Sequence, residues 1–249
     1  MMEEKNYKLL ISYDGTRYYG FEHQPGKDTI QGRLENVLSR MAGKDEIEVI
    51  GAGRTDAGVH AREMVVNVRL SLPLSPDEIR DTMNRYLPDD ISCDEVREAG
   101  DRFHARYNAV GKTYRYTCYI GKTKDVFRRK YCLPLSFSPD VEAMEAAARF
   151  LVGRHDFKSF CANPRMKKST VRIVDEIRIE AKKSFLYFTI HGTGFLQHMV
   201  RIIVGTLLLV GEGRLAPEEV GRILEAQDRS QAGPTAPAQG LCLMHVDYM

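Results

Sequence analysis

Along this chain apolar residues alternate at a period of two, then recur at three- and four-residue intervals, and the switch is made twice in the same order. Residues 7–13 (YKLLISY) read as a buried strand closed by the turn-forming Asp14-Gly15. Residues 29–41 place Ile30, Leu34, Val37, Leu38 and Met41 on one helical face, with Asp28 or Thr29 as cap. Residues 46–50 and 64–70 follow as strands, and 75–85 as a helix with a Ser-Pro start. The order begins again with a strand at 109–120 and a helix at 138–151, where Pro139 suits the first turn. Residues 171–180 and 185–191 alternate as a hairpin bent at 182–184. Helices are expected at 195–210 and 217–226, and a closing strand at 241–248. The doubled strand–helix–strand–strand–helix order predicts an α+β fold of two ferredoxin-like (RRM-like) lobes, 1–105 and 106–249, each with a mostly antiparallel sheet backed by helices on one face. The repeat is one of pattern only, because no convincing identity links the halves.

With 249 residues the chain can bury one large core or two modest ones. Its five cysteines are scattered, with no C-x-x-C pair, which argues against a disulfide framework and a zinc site. Residues 1–10 carry charges where a signal peptide needs an apolar run. The most apolar segment, 202–210, is far shorter than the roughly 20 residues that span a bilayer. A cytoplasmic protein with no membrane partner is expected. Charge is uneven: residues 1–100 hold 13 basic and 19 acidic side chains, whereas 101–249 hold 23 and 15. Such asymmetry fits an electrostatic footprint for nucleic acid and fits a solvated basic face equally well.

The most unusual segment is the turn at 51–61, GAGRTDAGVHA. Its glycines Gly51, Gly53 and Gly58 permit positive φ and close approach of a ligand. The spacing is not that of a dinucleotide fingerprint, and the Lys-Ser/Thr of a P-loop is missing. What the turn presents is one carboxylate, Asp56, two residues after Arg54. A neighbouring guanidinium keeps a carboxylate ionised, as a nucleophile or base requires. Taken alone, an Arg-x-Asp of this kind is more often a surface ion pair at a strand end.

Read whole, GAGRTDAGVHA resembles the signature of the TruA-type tRNA pseudouridine synthases. Four further blocks are similar to that family in the same order: YDGTRYYGFEHQP with TIQGRLENVL, FHARYNAVGKTYRY, GTGFLQHMVRIIVGTLLLVGEGR and APAQGLCLMHVDY. The resemblance covers nearly the whole chain. It implies that uridine is isomerised to pseudouridine at positions 38–40 of the tRNA anticodon arm, without cofactor or metal, by a homodimer holding tRNA across both subunits. It also implies that the two sheets join into one continuous sheet across a central cleft with Asp56 at its base.

The resemblance makes Asp56 the catalytic carboxylate. Tyr114 matches the family tyrosine that packs against the flipped uracil, and Leu241 an apolar position lining the uracil pocket. Arg54 matches the arginine beside the catalytic aspartate, expected to hold Asp56 and to fill the space vacated by the base. Arg201 lies among aliphatics, where a lone charge needs a partner, and Asp56 is the expected one. His60, His104 and His198 read as hydrogen-bonded structural or RNA-facing residues. Arg102, Arg106, Lys112, Arg115, Arg128, Arg129, Lys167 and Lys168 are plausible phosphate contacts. One departure stands out: Glu22-His23 replaces the family's usual Gln-x before Gln24. Rival readings are a same-fold synthase with other RNA targets, a non-catalytic RNA-binding module, and a nucleoside hydrolase that would release free uracil.

Overall fold

The computed structural model describes residues 3–163 and 165–249. The protein is a mixed α+β chain of ten strands and five α-helices among the described residues, with the strands mostly antiparallel. It divides into two compact units, Met1–Val110 together with Leu243–Met249, and Gly111–Cys242. The last seven residues thus return to the first unit, which a single cut near residue 105 does not express.

The first unit is built from β1 (Lys5–Tyr13), α1 (Ile30–Ala42), β2 (Ile50–Gly51), β3 (His60–Leu70), α2 (Pro76–Tyr86) and β4 (Ile91–Ala99). Strand β1 lies between β3 and β4 and is antiparallel to both. Tyr7, Leu9, Ile11 and Tyr13 are all buried at period two, so one face of this central strand is fully covered. The apolar stripes Ile30, Leu34, Val37 and Leu38 of α1 and Ile79 and Met83 of α2 are buried in the same unit. Helix α1 is capped by Thr29, which accepts the Gly32 N–H, and ends at Gly43 in the left-handed conformation. Helix α2 begins with a reciprocal capping box between Ser75 and Glu78.

Strand β4 is absent from the sequence reading, and its register explains why. Leu10 pairs with Glu95 but Ile11 pairs with Cys93, so Asp94 is an extra residue in the ladder. Buried positions therefore run Ile91, Cys93, Val96, which breaks strict alternation. Asn84 of α2 bonds both backbone groups of Cys93 at 2.8 Å and fixes the bulge. The strand expected at 46–50 shrinks to two paired residues, Ile50 opposite Asn67 and Gly51 opposite Val66.

The second unit contains β5 (Ala109–Tyr119), β6 (Leu133–Pro134), α3 (Val141–Ala148), β7 (Gly153–Asp156), β8 (Val171–Lys182), β9 (Phe185–Gly192), α4 (Met199–Gly211), α5 (Glu219–Ala226) and the start of β10 (Leu241–Tyr248). Its strand order is β5-β9-β8-β7, with the short β6 parallel to β5. The β8–β9 hairpin turns through two residues, with Lys183 at a φ of 55°, the positive angle such a tight connection favours. Helix α4 starts four residues later than its apolar run, because His198 takes a left-handed conformation. Eleven of the thirteen residues of α4 are buried, the pattern of a helix enclosed on nearly every side.

Buried amides tie residues 100–105 to the first unit's sheet. Asn6 Nδ2 donates to the carbonyls of Gly100 (3.0 Å) and Phe103 (2.9 Å), and Asn67 Nδ2 donates to Asn6 Oδ1 at 3.2 Å. Asn67 Oδ1 accepts the Ala105 N–H at 2.8 Å, and Tyr248 of β10 donates to the Ala105 carbonyl at 2.6 Å. Replacing Asn67 by Leu strands the buried Ala105 amide and the Asn6 carbonyl oxygen. Urea unfolding of Asn67→Leu should show a loss of about 1–3 kcal/mol with an unchanged m-value; an unaltered midpoint would show the network to be dispensable.

Candidate active site

Asp56 sits on the loop between β2 and β3. The loop leaves β2 through Ala52, whose N–H donates to the Val65 carbonyl at 2.8 Å. Ala52, Thr55, Val59 and His60 are buried, Arg54 and Ala57 are exposed, and Asp56 is half-buried between them. The Val59 N–H donates to the Asp56 carbonyl at 3.1 Å, and Gly58 supplies a φ of 78° at the third position of that turn.

Residues 13–21 form the bed on which this loop rests. The Phe21 N–H donates to the Thr55 carbonyl at 3.1 Å and the Gly58 N–H to the Tyr18 carbonyl at 3.3 Å. The Tyr13 hydroxyl and Thr55 Oγ1 share a buried hydrogen bond of 2.8 Å. His60 Nδ1 accepts the Gly15 N–H at 3.1 Å, so this buried histidine is structural. A Cβ on Gly15 would overlap the Val59 carbonyl, and one on Gly20 would press on the Thr55 carbonyl. Gly20 also has a φ of 92°. Both glycines lie in one segment so that its backbone can rest against the backbone of the distant Asp56 turn.

That bed has its own anchor. The Asp14 N–H donates to the Asp90 carbonyl at 2.9 Å, and the Asp90 carboxylate accepts hydrogen bonds from Arg17 and, at 2.6 Å, from the Tyr18 hydroxyl. Partial burial pushes the Asp90 carboxyl up, but the bonds from Arg17 and Tyr18 outweigh it and hold the carboxyl below its usual range. Burial, then the Asp90 bond, pushes the Tyr18 phenol up, so it stays a neutral donor.

Arg54 forms its ion pair with Glu22 at 2.5 Å, and both side chains are largely in solvent. The residue that departs from the family pattern is thus the one that engages the arginine of the turn. His23 turns the other way, to Glu35 of α1 at 2.8 Å.

The other expected site residues belong to the second unit. Tyr114 lies on β5 opposite Ile190, is 8% exposed, and meets the Phe195 ring edge-on at 5.3 Å. Tyr116, two residues on, is fully buried, and burial pushes its phenol up, so its hydroxyl donates to the Pro237 carbonyl at 2.8 Å. Arg201, in the first turn of α4, donates from Nε to the Ala236 carbonyl at 2.7 Å, while the Ala236 N–H returns a bond to the Arg201 carbonyl at 3.1 Å. Leu241 opens β10 and is buried. Residues 236–241 are therefore gripped by both Arg201 and Tyr116. The sequence alone assigned no such role to Tyr13, Gly20, Asp90 or Tyr116, which hold these segments; the two glycines of YDGTRYYG were the available signal. Among the described residues, no cluster of three His, Cys, Asp or Glu could hold a metal ion.

The first unit thus offers one carboxylate on a loop clamped from beneath, suited to act as nucleophile or base. Gly20→Ala adds a methyl group against the Thr55 carbonyl at an unfavourable φ. It should lower unfolding stability by roughly 1–3 kcal/mol in urea titration; wild-type stability would mean the bed yields without cost.

A family model described as tRNA pseudouridine synthase matches residues 9–108 and 147–249, leaving Tyr114 between the matched segments. The chain is 45% identical over 244 residues to a protein of Geobacillus sp. (strain WCH70) named tRNA pseudouridine synthase A, covering 98% of each. It is 46% identical over 244 residues to a protein of that name from Bacillus sp. (strain KSM-64), covering 98% of this chain and 99% of the other. A relative from Geobacillus kaustophilus (strain HTA426) with the same name is 45% identical over 241 residues, covering 97% of this chain and 93% of the other.

Proposed function

This chain belongs to the tRNA pseudouridine synthase family, and we propose that it converts uridine to pseudouridine in the anticodon stem-loop of tRNA with Asp56 as the reacting carboxylate. The observation that carries the reading is the clamped turn around Asp56: Thr55 and Val59 are buried, and the loop is hydrogen-bonded to residues 13–21. A backbone so held fixes the base of the Asp56 side chain, which limits the directions from which a base turned out of its stack can meet the carboxylate.

The reaction breaks the bond between uracil N1 and ribose C1′, turns the base, and joins C5 to C1′. The C5 proton is then lost and the freed N1 takes one up, so atoms and charge balance with no redox partner. Asp56 is assigned either attack on ribose C1′, with the bond so formed broken when C5 joins C1′, or uptake of a proton while the base is detached. Arg54 fills the space the base leaves, Tyr114 packs on the everted uracil, and Leu241 lines its pocket. Arg201 is assigned the ion pair with Asp56. These roles rest on family membership and on the residue chemistry.

The finer parts of the reading are modification at positions 38–40, a homodimer spanning one tRNA, and work in the cytoplasm. Pairing two copies would combine two halves in which residues 101–249 hold 23 basic and 15 acidic side chains. That offsets a net charge of only +2 per chain when the ligand is a polyanion. Among the described residues no helix is long and apolar enough to cross a membrane.

Release of tritium from C5-labelled uridine in tRNA transcripts tests chemistry and residue together. Wild type should release label, and Asp56→Ala should fall by roughly a thousandfold or more while keeping the wild-type melting temperature. Label release by Asp56→Ala at the wild-type rate would overturn the assignment. Silence from both proteins would overturn the proposed activity on tRNA and return the choice to the rival readings.

A further inference from the structure

The second unit displays an aromatic tip that the proposed chemistry does not use. Between β5 and β6 the chain carries Val126, Phe127 and Tyr131, which are 55%, 90% and 46% exposed. The segment lies between the two stretches matched by the family model. It is a built turn. Asp125 Oδ1 accepts the N–H groups of Phe127 (3.1 Å) and Arg128 (3.0 Å), and the Arg128 carbonyl accepts the Tyr131 N–H at 2.8 Å. The Cys132 thiol donates to the Arg128 carbonyl at 3.2 Å, and Gln239 Nε2 reaches the Cys132 carbonyl at 3.1 Å. The Arg128 guanidinium lies 4.7 Å from the Phe185 ring centroid, which fixes the base of the tip on β9.

From this geometry we infer that Phe127 is a stacking contact for an unpaired or end base of the bound RNA, framed by basic side chains that hold the flanking phosphates. This rests on the reading of the chain as an enzyme acting on tRNA. Lys122, Lys124, Arg128, Arg129 and Lys130 flank the tip in sequence, Arg129 donating to the Val126 carbonyl and Arg128 lying over Phe185, and the tip's one acid, Asp125, is consumed by the turn. An apolar ring within a cationic frame suits single-stranded nucleic acid, whose bases offer π-faces and whose backbone offers charge. A second copy of the chain is a poor occupant, because a self-matching contact would bring two such frames together. The turn is already ordered, so docking a base there costs little conformational entropy.

The chain contains no tryptophan, so Phe127→Trp installs a single reporter at a position with almost no packing to disturb. Titrating that variant with tRNA should quench its emission along a saturable curve that overlays filter binding. Phe127→Ala should weaken tRNA binding roughly 5- to 100-fold. The slope of log affinity against log salt should stay that of wild type, because no charge is removed. Emission that stays constant at saturating tRNA, while wild type binds, overturns the inference and leaves the proposed activity intact. Emission that responds to protein concentration alone, or to anionic phospholipid vesicles but not to tRNA, assigns the tip to another partner and overturns it as well. If wild type retains no tRNA on the filter, both the inference and the proposed function fail, and tritium release identifies that case independently.

Discussion

The buried Thr55 carbonyl accepts the Phe21 N–H while the Thr55 hydroxyl bonds Tyr13, so the residue before Asp56 is held by backbone and side chain at once. A Cβ at 15 or 20 would push on this arrangement, because the glycines there face the carbonyls of Val59 and Thr55. Holding residues 13–21 in place falls to Asp90, which grips Arg17 and Tyr18 at the start of β4. The chain of dependence runs from a strand start, through a glycine-spaced loop, to the backbone on either side of one carboxylate.

The second unit repeats the logic with different chemistry. Arg201 and Ala236 exchange two hydrogen bonds, and the buried Tyr116 hydroxyl takes the Pro237 carbonyl. Gly205 of α4 lets the Pro234 carbonyl lie against the helix backbone, and Gly240 leaves room for the Tyr116 ring. The segment that delivers Leu241 is therefore set by a helix and a strand together. A charged side chain within an apolar helix thereby gains a carbonyl partner, which lowers the cost of placing it there.

Most of the architecture could be read from periodicity, since β1, α1, α2, the β8–β9 hairpin and β10 have strong and regular patterns. Strand β4 could not, because the bulge at Asp94 shifts its buried face by one residue. The first residues of the apolar run at 195–210 are not helical, and no propensity announces the left-handed His198 that delays α4. In the site, the turn with Asp56 was legible from its glycines. The partner of Arg54 was not, because Glu22 lies 32 positions earlier in sequence and is brought across only by the packing of residues 13–21 on the turn. The same holds for Tyr13, Asp90 and Tyr116, whose roles are made by contacts distant in sequence.

If the turn around Asp56 is locked as described, its amides should open only when the first unit's sheet opens. Site-resolved hydrogen exchange on the RNA-free protein measures this directly, at the Phe21 and Val59 N–H groups against the central amides of β1. The account predicts protection at both loop positions within roughly tenfold of the β1 amides, because the same buried contacts guard them. Exchange at the rate of an unstructured loop would show that the carboxylate is not held before RNA arrives, and the central claim would not stand.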